Sequence, residues 1–391
     1  METLKVKTTK IDFKQYGMMI ALIAIYLLFA ILTKGTNTSS MNINNLIMQN
    51  GYIIILSIGM LLCVLTGNID LGVGSVVAVS GAASAIMVVD YHLPVFVGFI
   101  VAIAVGLAFG VFTGFFISVL SIPPFIVTLA TMLIGRGLTY TVLQAQTKGP
   151  LPPNYTMIGA GFVPSPKITI LGTKFDLLSL LVALIATIVV IIAIQKTNRT
   201  KKQYGFEVET PLQSFVKIVL ISFLIWFILI KLAMYKGIPN VMILMLIMTA
   251  FYQFLTSNTV SGRQIYALGG NAKAAKLSGI NTQKVFFWVY ANMGLLCGIA
   301  GIVLSARNAS ATPKAGDGFE MDAIASCYIG GAAIAGGSGS VLGAVVGALI
   351  MGILNNGMSL CGLSTDIQKI VKGLVLLGAV TMDLVSKQKK N

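Results

Sequence analysis

The sequence has few charged residues and a single histidine. Only 10% of its 391 residues are charged, whereas 56% are hydrophobic. Soluble domains usually carry about 25% charged residues, because a water-facing surface requires them. The composition therefore predicts that lipid surrounds most of the chain. His92 is the one histidine, which argues against a histidine-based metal site.

Motifs for catalysis and for nucleotide binding are also missing. The sequence contains no GxxxxGK[ST] phosphate-binding loop, no HExxH and no GxSxG. Cys63, Cys297, Cys327 and Cys361 lie in or at the ends of apolar segments without CxxC spacing, so they are predicted to be small packing residues. We therefore expect neither an enzyme nor a cofactor site, and any ATP hydrolysis must occur in another chain.

Long apolar runs dominate what is present. They predict an all-α, polytopic transmembrane helix bundle of about 10–12 spans, which forms a single domain over residues 1–391. Gly- and Ser-rich segments near 72–90 and 320–356 are expected to be short or broken helices. The predicted spans are 17–33, 45–66, 72–90, 95–121, 124–146, 177–195, 213–232, 238–257, 285–304, 320–335, 340–356 and 367–386, and the longest external loop is 147–175.

The formal net charge of +15 comes from basic residues between the apolar runs. Cytoplasmic loops of membrane proteins are enriched in Lys and Arg, and no basic patch has the interleaved aromatics of a nucleic-acid site. The predicted cytoplasmic loops are therefore about 196–213 and 258–284, and with twelve spans both termini are cytoplasmic. The residues concerned are Lys5, Lys7, Lys10 and Lys14; Lys196, Arg199, Lys201, Lys202 and Lys217; Arg263, Lys273, Lys276 and Lys284; Lys387, Lys389 and Lys390.

The loop 258–284 contains the pattern of a short capped helix. Asn271 is a favourable N-cap, residues 272–278 are good helix formers, and Gly279 can end the helix in a left-handed conformation. Gly269 and Gly270 are predicted to turn the chain before it, and Lys273 and Lys276 give it positive charge. We predict a docking helix for a separate ATPase, with an ordinary capped surface helix as the alternative.

Four stretches resemble one family. GRQIYALGGNAKAAKLSGI resembles the cytoplasmic loop of the ribose/xylose/galactose-type sugar ABC permeases. TGNIDLGVGSVVAVSG (66–81), PPFIVTLATMLIGRGLTYTV (123–142) and the Gly-rich segment 318–358 are similar to three further motifs of that family. An additional cytoplasmic stretch at 199–213, followed by an additional helix pair, makes the chain most similar to xylose-type and multiple-monosaccharide-type permeases.

The resemblance implies a function and partners. It implies import of xylose, glucose, galactose or arabinose across a bacterial cytoplasmic membrane. It also implies a second permease copy, an ABC ATPase subunit and an extracytoplasmic sugar-binding protein. Two alternatives stay open: a nucleoside or branched-chain amino-acid permease of the same superfamily, and an ion-coupled secondary carrier. The scarcity of carboxylates inside the apolar runs weakens proton coupling.

Two groups of residues are candidates for roles in transport. Gly67, Asp70, Gly72 and Gly74 read as a helix break near the cytoplasmic end, where Asp70 accepts hydrogen bonds from freed N–H groups. Uncharged polar residues within or near spans are candidates for the sugar pathway, with hydrogen bonding between helices as the alternative. They are Gln49, Asn50, Thr128, Thr131, Asn292 and Asn355.

Overall fold

A computed structural model describes residues 13–170, 172–206, 208 and 210–388. The basic residues Lys5, Lys7, Lys10, Lys389 and Lys390 lie outside this part of the chain. The described residues form fifteen α-helices, one 3₁₀ turn and one two-stranded hairpin. Eight of these helices are long and apolar enough to cross a membrane, and apolar helical stretches at Gly17–Leu32 and Val73–Val89 are shorter. The prediction of an all-α polytopic bundle is confirmed.

The helix bounds agree with most of the predicted spans. In chain order the helices are α1 (Phe13–Leu32), α2 (Ser40–Leu65), α3 (Val73–Val89), α4 (Val95–Ser118), α5 (Pro124–Val142), α6 (Pro153–Ala160), α7 (Leu177–Gln203), α8 (Pro211–Ala233), α9 (Asn240–Asn258), α10 (Val260–Gly270), α11 (Ala272–Leu277), α12 (Thr282–Asn308), α13 (Phe319–Ile329), α14 (Val341–Leu360) and α15 (Thr365–Gln388). The strands β1 (Lys167–Ile170) and β2 (Thr173–Asp176) pair antiparallel, with Lys167 opposite Asp176.

Three predicted segments differ from the structure. The predicted span 320–335 is only the 11-residue helix α13, because the chain turns at Gly330 and adopts a left-handed conformation at Gly331 (φ 83°). The loop 147–175 contains α6, which begins at a proline suited to a first helical turn, and most of the β1–β2 hairpin. The first half of the predicted loop 196–213 is helical, since α7 continues to Gln203.

The chain forms two compact units. The described part of the smaller one comprises residues 13–17, 35–45 and 162–239, and its main elements are the hairpin, α7 and α8. Asp176 caps α7 by accepting hydrogen bonds from the backbone N–H and the hydroxyl of Ser179, at 2.8 and 2.6 Å. Thr210 and Gln213 form a reciprocal capping box at the start of α8.

The described part of the larger unit comprises residues 18–34, 46–161 and 240–388. Its core follows α2, where Ile55, Leu56, Ile58 and Leu61 are fully buried. The helix α12 packs against α3, α4 and α6, and α13 packs against α14 and α15.

Glycines at four-residue spacing explain two of these helix contacts. A Cβ at Gly106 or Gly110 of α4 would overlap backbone atoms of α12, and a Cβ at Gly294 of α12 would overlap α4 in return. A Cβ at Gly343 or Gly347 of α14 would likewise overlap carbonyl oxygens of Gly330 and Ser326. Glycine therefore permits the backbones of these helix pairs to approach closely.

Candidate functional site

The segment after α9 folds as two short helices joined at a sharp corner. The Thr259 hydroxyl accepts a hydrogen bond from Gly262 N–H and caps α10. The Asn271 side chain accepts one from Ala274 N–H at 3.0 Å and caps α11, as predicted. Gly279 is left-handed (φ 85°), so the predicted end of this helix is also confirmed. Fixed caps at both ends give α11 a defined direction relative to α10.

The predicted turn at Gly269 and Gly270 is wrong, because both residues are the last turn of α10. Position 269 requires glycine for a different reason. A Cβ there would overlap the carbonyl oxygen of Leu65 at the end of α2 and would lie 2.6 Å from Gly337 N. A Cβ at Gly270 would meet no atom within 4 Å. Close backbone approach, rather than chain reversal, therefore requires glycine at position 269.

Residues 330–340, between α13 and α14, join α10 to the end of α2. The N–H of Gly337 donates to the carbonyl oxygen of Leu65 at 2.8 Å. The Tyr266 hydroxyl of α10 donates to the carbonyl oxygen of Gly339, also at 2.8 Å. These contacts connect α10 both to the end of α2 and to the loop after α13.

The opposite face of the α10–α11 corner is open. Lys273 and Lys276 of α11 are exposed, and Ala275 alone is buried within that helix. Leu277 is 90% exposed, although it is a large apolar residue. Sequence reasoning identified the lysines and missed Leu277, because a leucine in a capped amphipathic turn is normally expected to face inward.

The helix break between α2 and α3 has the predicted hydrogen bond. Asp70 is buried, and its Oδ1 accepts the N–H of Gly72 at 2.8 Å. The three glycines serve different purposes. Gly67 is left-handed (φ 78°), Gly72 precedes α3 with an ordinary φ of −78°, and Gly74 lies inside α3 against Gly316. Of these three glycines, only Gly67 adopts a left-handed backbone conformation.

Three of the six pathway candidates, Thr131, Asn292 and Asn355, form hydrogen bonds between helices. Thr131 shares a hydrogen bond with Thr113 of α4, at 3.0 Å between the two hydroxyl oxygens. Asn292 accepts a hydrogen bond from the Tyr252 hydroxyl. A role of the six candidates in transport stays a prediction. Of the others, Thr128 and Asn50 are fully buried, Gln49 is half-buried, and Asn355 contacts Asp322.

A buried ion pair was missed by sequence reasoning. Lys372 of α15 lies 2.9 Å from Asp322 of α13, whose side chain is only 3% exposed. Asn355 Nδ2 of α14 donates to the same carboxylate at 3.2 Å. The sign of this ion pair in the sequence is a charged residue inside an apolar segment. The pairing itself spans 50 positions in sequence, so no local pattern indicates it.

Comparisons with known proteins agree with this architecture. A family model described as branched-chain amino acid transport system / permease component matches residues 42–201 and 180–380. The xylose transport system permease protein XylH of Haemophilus influenzae is 38% identical over 383 residues, which cover 98% of this chain and 99% of that protein. XylH of Escherichia coli is 36% identical, covering 97% of this chain and 94% of that protein.

A relative that is named for another sugar is also similar. The ribose import permease protein RbsC of Escherichia coli is 34% identical over 366 residues, which cover 93% of this chain and 92% of that protein. No solved structure has a significant match to the chain.

Proposed function

We propose a function from the premise that this chain belongs to the family of transport-system permease components. It is the membrane-spanning subunit of an ATP-driven monosaccharide importer. The observation that carries the proposal is similarity along almost the whole chain to proteins named as xylose permeases, at 38% and 36% identity. Xylose or a related pentose or hexose is the proposed cargo. The chain acts as a permease rather than as an enzyme, and a separate ABC ATPase hydrolyses ATP.

The α10–α11 corner is the proposed contact with the ATPase. Its exposed face combines two lysines with the 90% exposed Leu277, an anchor that suits an apolar pocket with an acidic rim. Its other face contacts Leu65 and Gly337 through backbone atoms. Movement of the ATPase would therefore reach the helix break at 66–72 and the loop 330–340 without passing through flexible side chains.

The proposed arrangement in the membrane rests on the helix count and the charges. If twelve helices cross, with α13 as a short one and with α6, α10 and α11 outside the count, both termini would lie on the cytoplasmic side of a bacterial inner membrane. The basic loops support this orientation. Two copies would enclose one pathway, residues 1–391 of each copy acting as one permease domain, and an extracytoplasmic binding protein would deliver the sugar.

Substrate identity is tested by competition in the reconstituted transporter. Uptake of labelled xylose, ribose, glucose, leucine and a nucleoside would each be measured, and each unlabelled compound would be tested as a competitor of whichever label is taken up. We expect xylose or another monosaccharide to be taken up fastest. Uptake of leucine without uptake of any sugar would contradict the proposal and favour the second candidate, a branched-chain amino-acid permease, which the description of the family model supports.

A further inference from the structure

Residues 309–318, between α12 and α13, begin at one end of the bundle. Ala311 and Lys148 exchange backbone hydrogen bonds, both at 2.9 Å. Lys148 also forms an ion pair at 2.8 Å with Asp90, the residue that follows α3. The start of the segment therefore lies near the C-terminal end of α3.

The same segment ends deep within the bundle. Gly316 contacts Gly74, at the N-terminal end of α3, so closely that a Cβ on either residue would overlap the other backbone. Phe319 stacks on Tyr52 in the middle of α2, with ring centroids 4.7 Å apart. Because α2 is long and apolar enough to cross a membrane, the segment re-enters to about the middle of that span.

Arg136 holds this re-entrant segment (residues 309–318) against α5. Its guanidinium donates to the carbonyl oxygens of Pro313 and Ala315, at 3.0 and 2.6 Å. These bonds satisfy backbone acceptors that no helix or strand satisfies. A charge inside an apolar helix is costly unless it is partnered in this way, so Arg136 has a defined positioning role.

The outer face of the segment is polar and uncovered in the single chain. Asp317 and Lys369 of α15 form an ion pair at 2.8 Å while their side chains are 63% and 65% exposed. Lys314 and Met321, which lie close to Asp317 in sequence, are also exposed. Irregular backbone and charged side chains at membrane depth are tolerated only where protein covers them or water fills the space. Lipid is therefore an unfavourable neighbour for this face.

We infer that the re-entrant segment and the start of α13 line the aqueous path of the sugar. Lys314, Asp317 and Lys369 offer hydrogen-bond donors and acceptors to sugar hydroxyls, and Met321 offers an apolar contact to the C–H face of a sugar ring. Exposed, mutually paired charges bind a neutral sugar weakly, which suits a conduit that must also release it. The opposite wall is a second copy of the chain. This inference rests on the proposed function.

Thiol labelling in the complete transporter tests the inference. Cys361, which is exposed, is first replaced by serine, since Cys63, Cys297 and Cys327 are buried. Single cysteines are then placed at Lys314 and Met321. We expect a charged, membrane-impermeant reagent to label both from outside. The labelling rate should fall several-fold when saturating xylose and a non-hydrolysed ATP analogue trap the transporter.

Two control positions make the outcome decisive. Val189→Cys lies midway along α7, is 57% exposed and apolar, and should remain unlabelled in lipid. Asn154→Cys, exposed in α6, should label at one rate in every state, as an external surface does. Positions 314 and 321 behaving like either control would overturn the inference. If labelling at positions 314 and 321 slows in the trapped state but the wild type imports no sugar, the proposed function is contradicted. The inference that these positions line an aqueous path would still stand.

The unmodified protein offers a second measurement if the cysteine variants fold poorly. An impermeant amine reagent applied from outside should modify Lys314 and Lys369 in a state-dependent manner, detected by mass spectrometry. Lys273 of α11 should react only when the membrane is opened. Equal modification of Lys314 in the resting and trapped transporter would contradict the inference.

Discussion

At the scale of single residues, Gly269 and Gly270 form a natural matched pair. They are adjacent and both lie in the last turn of α10. A Cβ at Gly269 would meet the Leu65 carbonyl and Gly337, whereas a Cβ at Gly270 would point into open space. Sequence reasoning treated them as equivalent turn residues, because a Gly-Gly dipeptide is a common turn signal. A contact with residues about 70 and 200 positions away leaves no local trace, so only the structure separates the two roles.

Gly269→Ala should impair coupling while Gly270→Ala should not. The added methyl at 269 must displace the backbone of α2 or the loop 330–340, a strain typically of about 1–3 kcal/mol. We expect sugar uptake to fall several-fold with normal membrane insertion, whereas Gly270→Ala stays near wild type. Both are read out as uptake per inserted transporter. Equal activity of the two variants would contradict the role of this backbone contact.

The pair Asp322–Lys372 gives a second prediction at this scale. Lys372→Met leaves a buried carboxylate without its counter-charge, which typically costs about 3–5 kcal/mol, so expression and thermal stability should drop. Asp322→Asn combined with Lys372→Met removes both charges and should recover much of that loss. Thermal unfolding of the purified variants measures this. A double variant as unstable as the single one would show that the charges do not act as a pair.

At the scale of elements, the cap signals of α11 were readable from sequence and the surroundings of α13 were not. Asn271 and Gly279 encode the start and end of α11 locally, through an N-cap side chain and a left-handed residue. For residues 320–335, hydropathy predicted a span. It could not reveal that α13 ends at Ile329, or that the chain before it re-enters the bundle, since these features depend on contacts with α2, α3 and α5.

Leu277→Ala tests α11 as the docking element. An apolar side chain 90% exposed to water contributes little to the fold, so the variant should insert and unfold normally. Loss of a buried interface anchor commonly costs about 2 kcal/mol or more, so the affinity for the ATPase should weaken by roughly thirtyfold or more and co-purification should drop.

Leu212→Ala is the matched control for that experiment. Leu212 is 72% exposed at the start of α8, near the end of the other predicted cytoplasmic loop, 196–213. Its replacement should leave ATPase binding unchanged. If Leu212→Ala weakened the association and Leu277→Ala did not, the ATPase would dock at the loop near 199–213 instead.

At the scale of the whole molecule, composition and charge predicted the bundle and its orientation. Cysteines at Lys202 and Lys273 should react with an impermeant thiol reagent only from the cytoplasmic side, and a cysteine at Asn154 only from outside. The reason is the concentration of basic residues in the loops near Lys202 and Lys273. Labelling of Lys202→Cys and Asn154→Cys from the same side would contradict the predicted twelve-helix topology.

The most direct test of a permease driven by a separate ATPase is reconstitution in liposomes with defined components. The chain would be assayed for ATP hydrolysis and xylose uptake alone, then with its ATPase, and then with the sugar-binding protein added. We predict no hydrolysis and no accumulation by the chain alone, and ATP-dependent accumulation only with all three components. Hydrolysis by the chain alone, or accumulation driven by an ion gradient without the ATPase, would contradict the account.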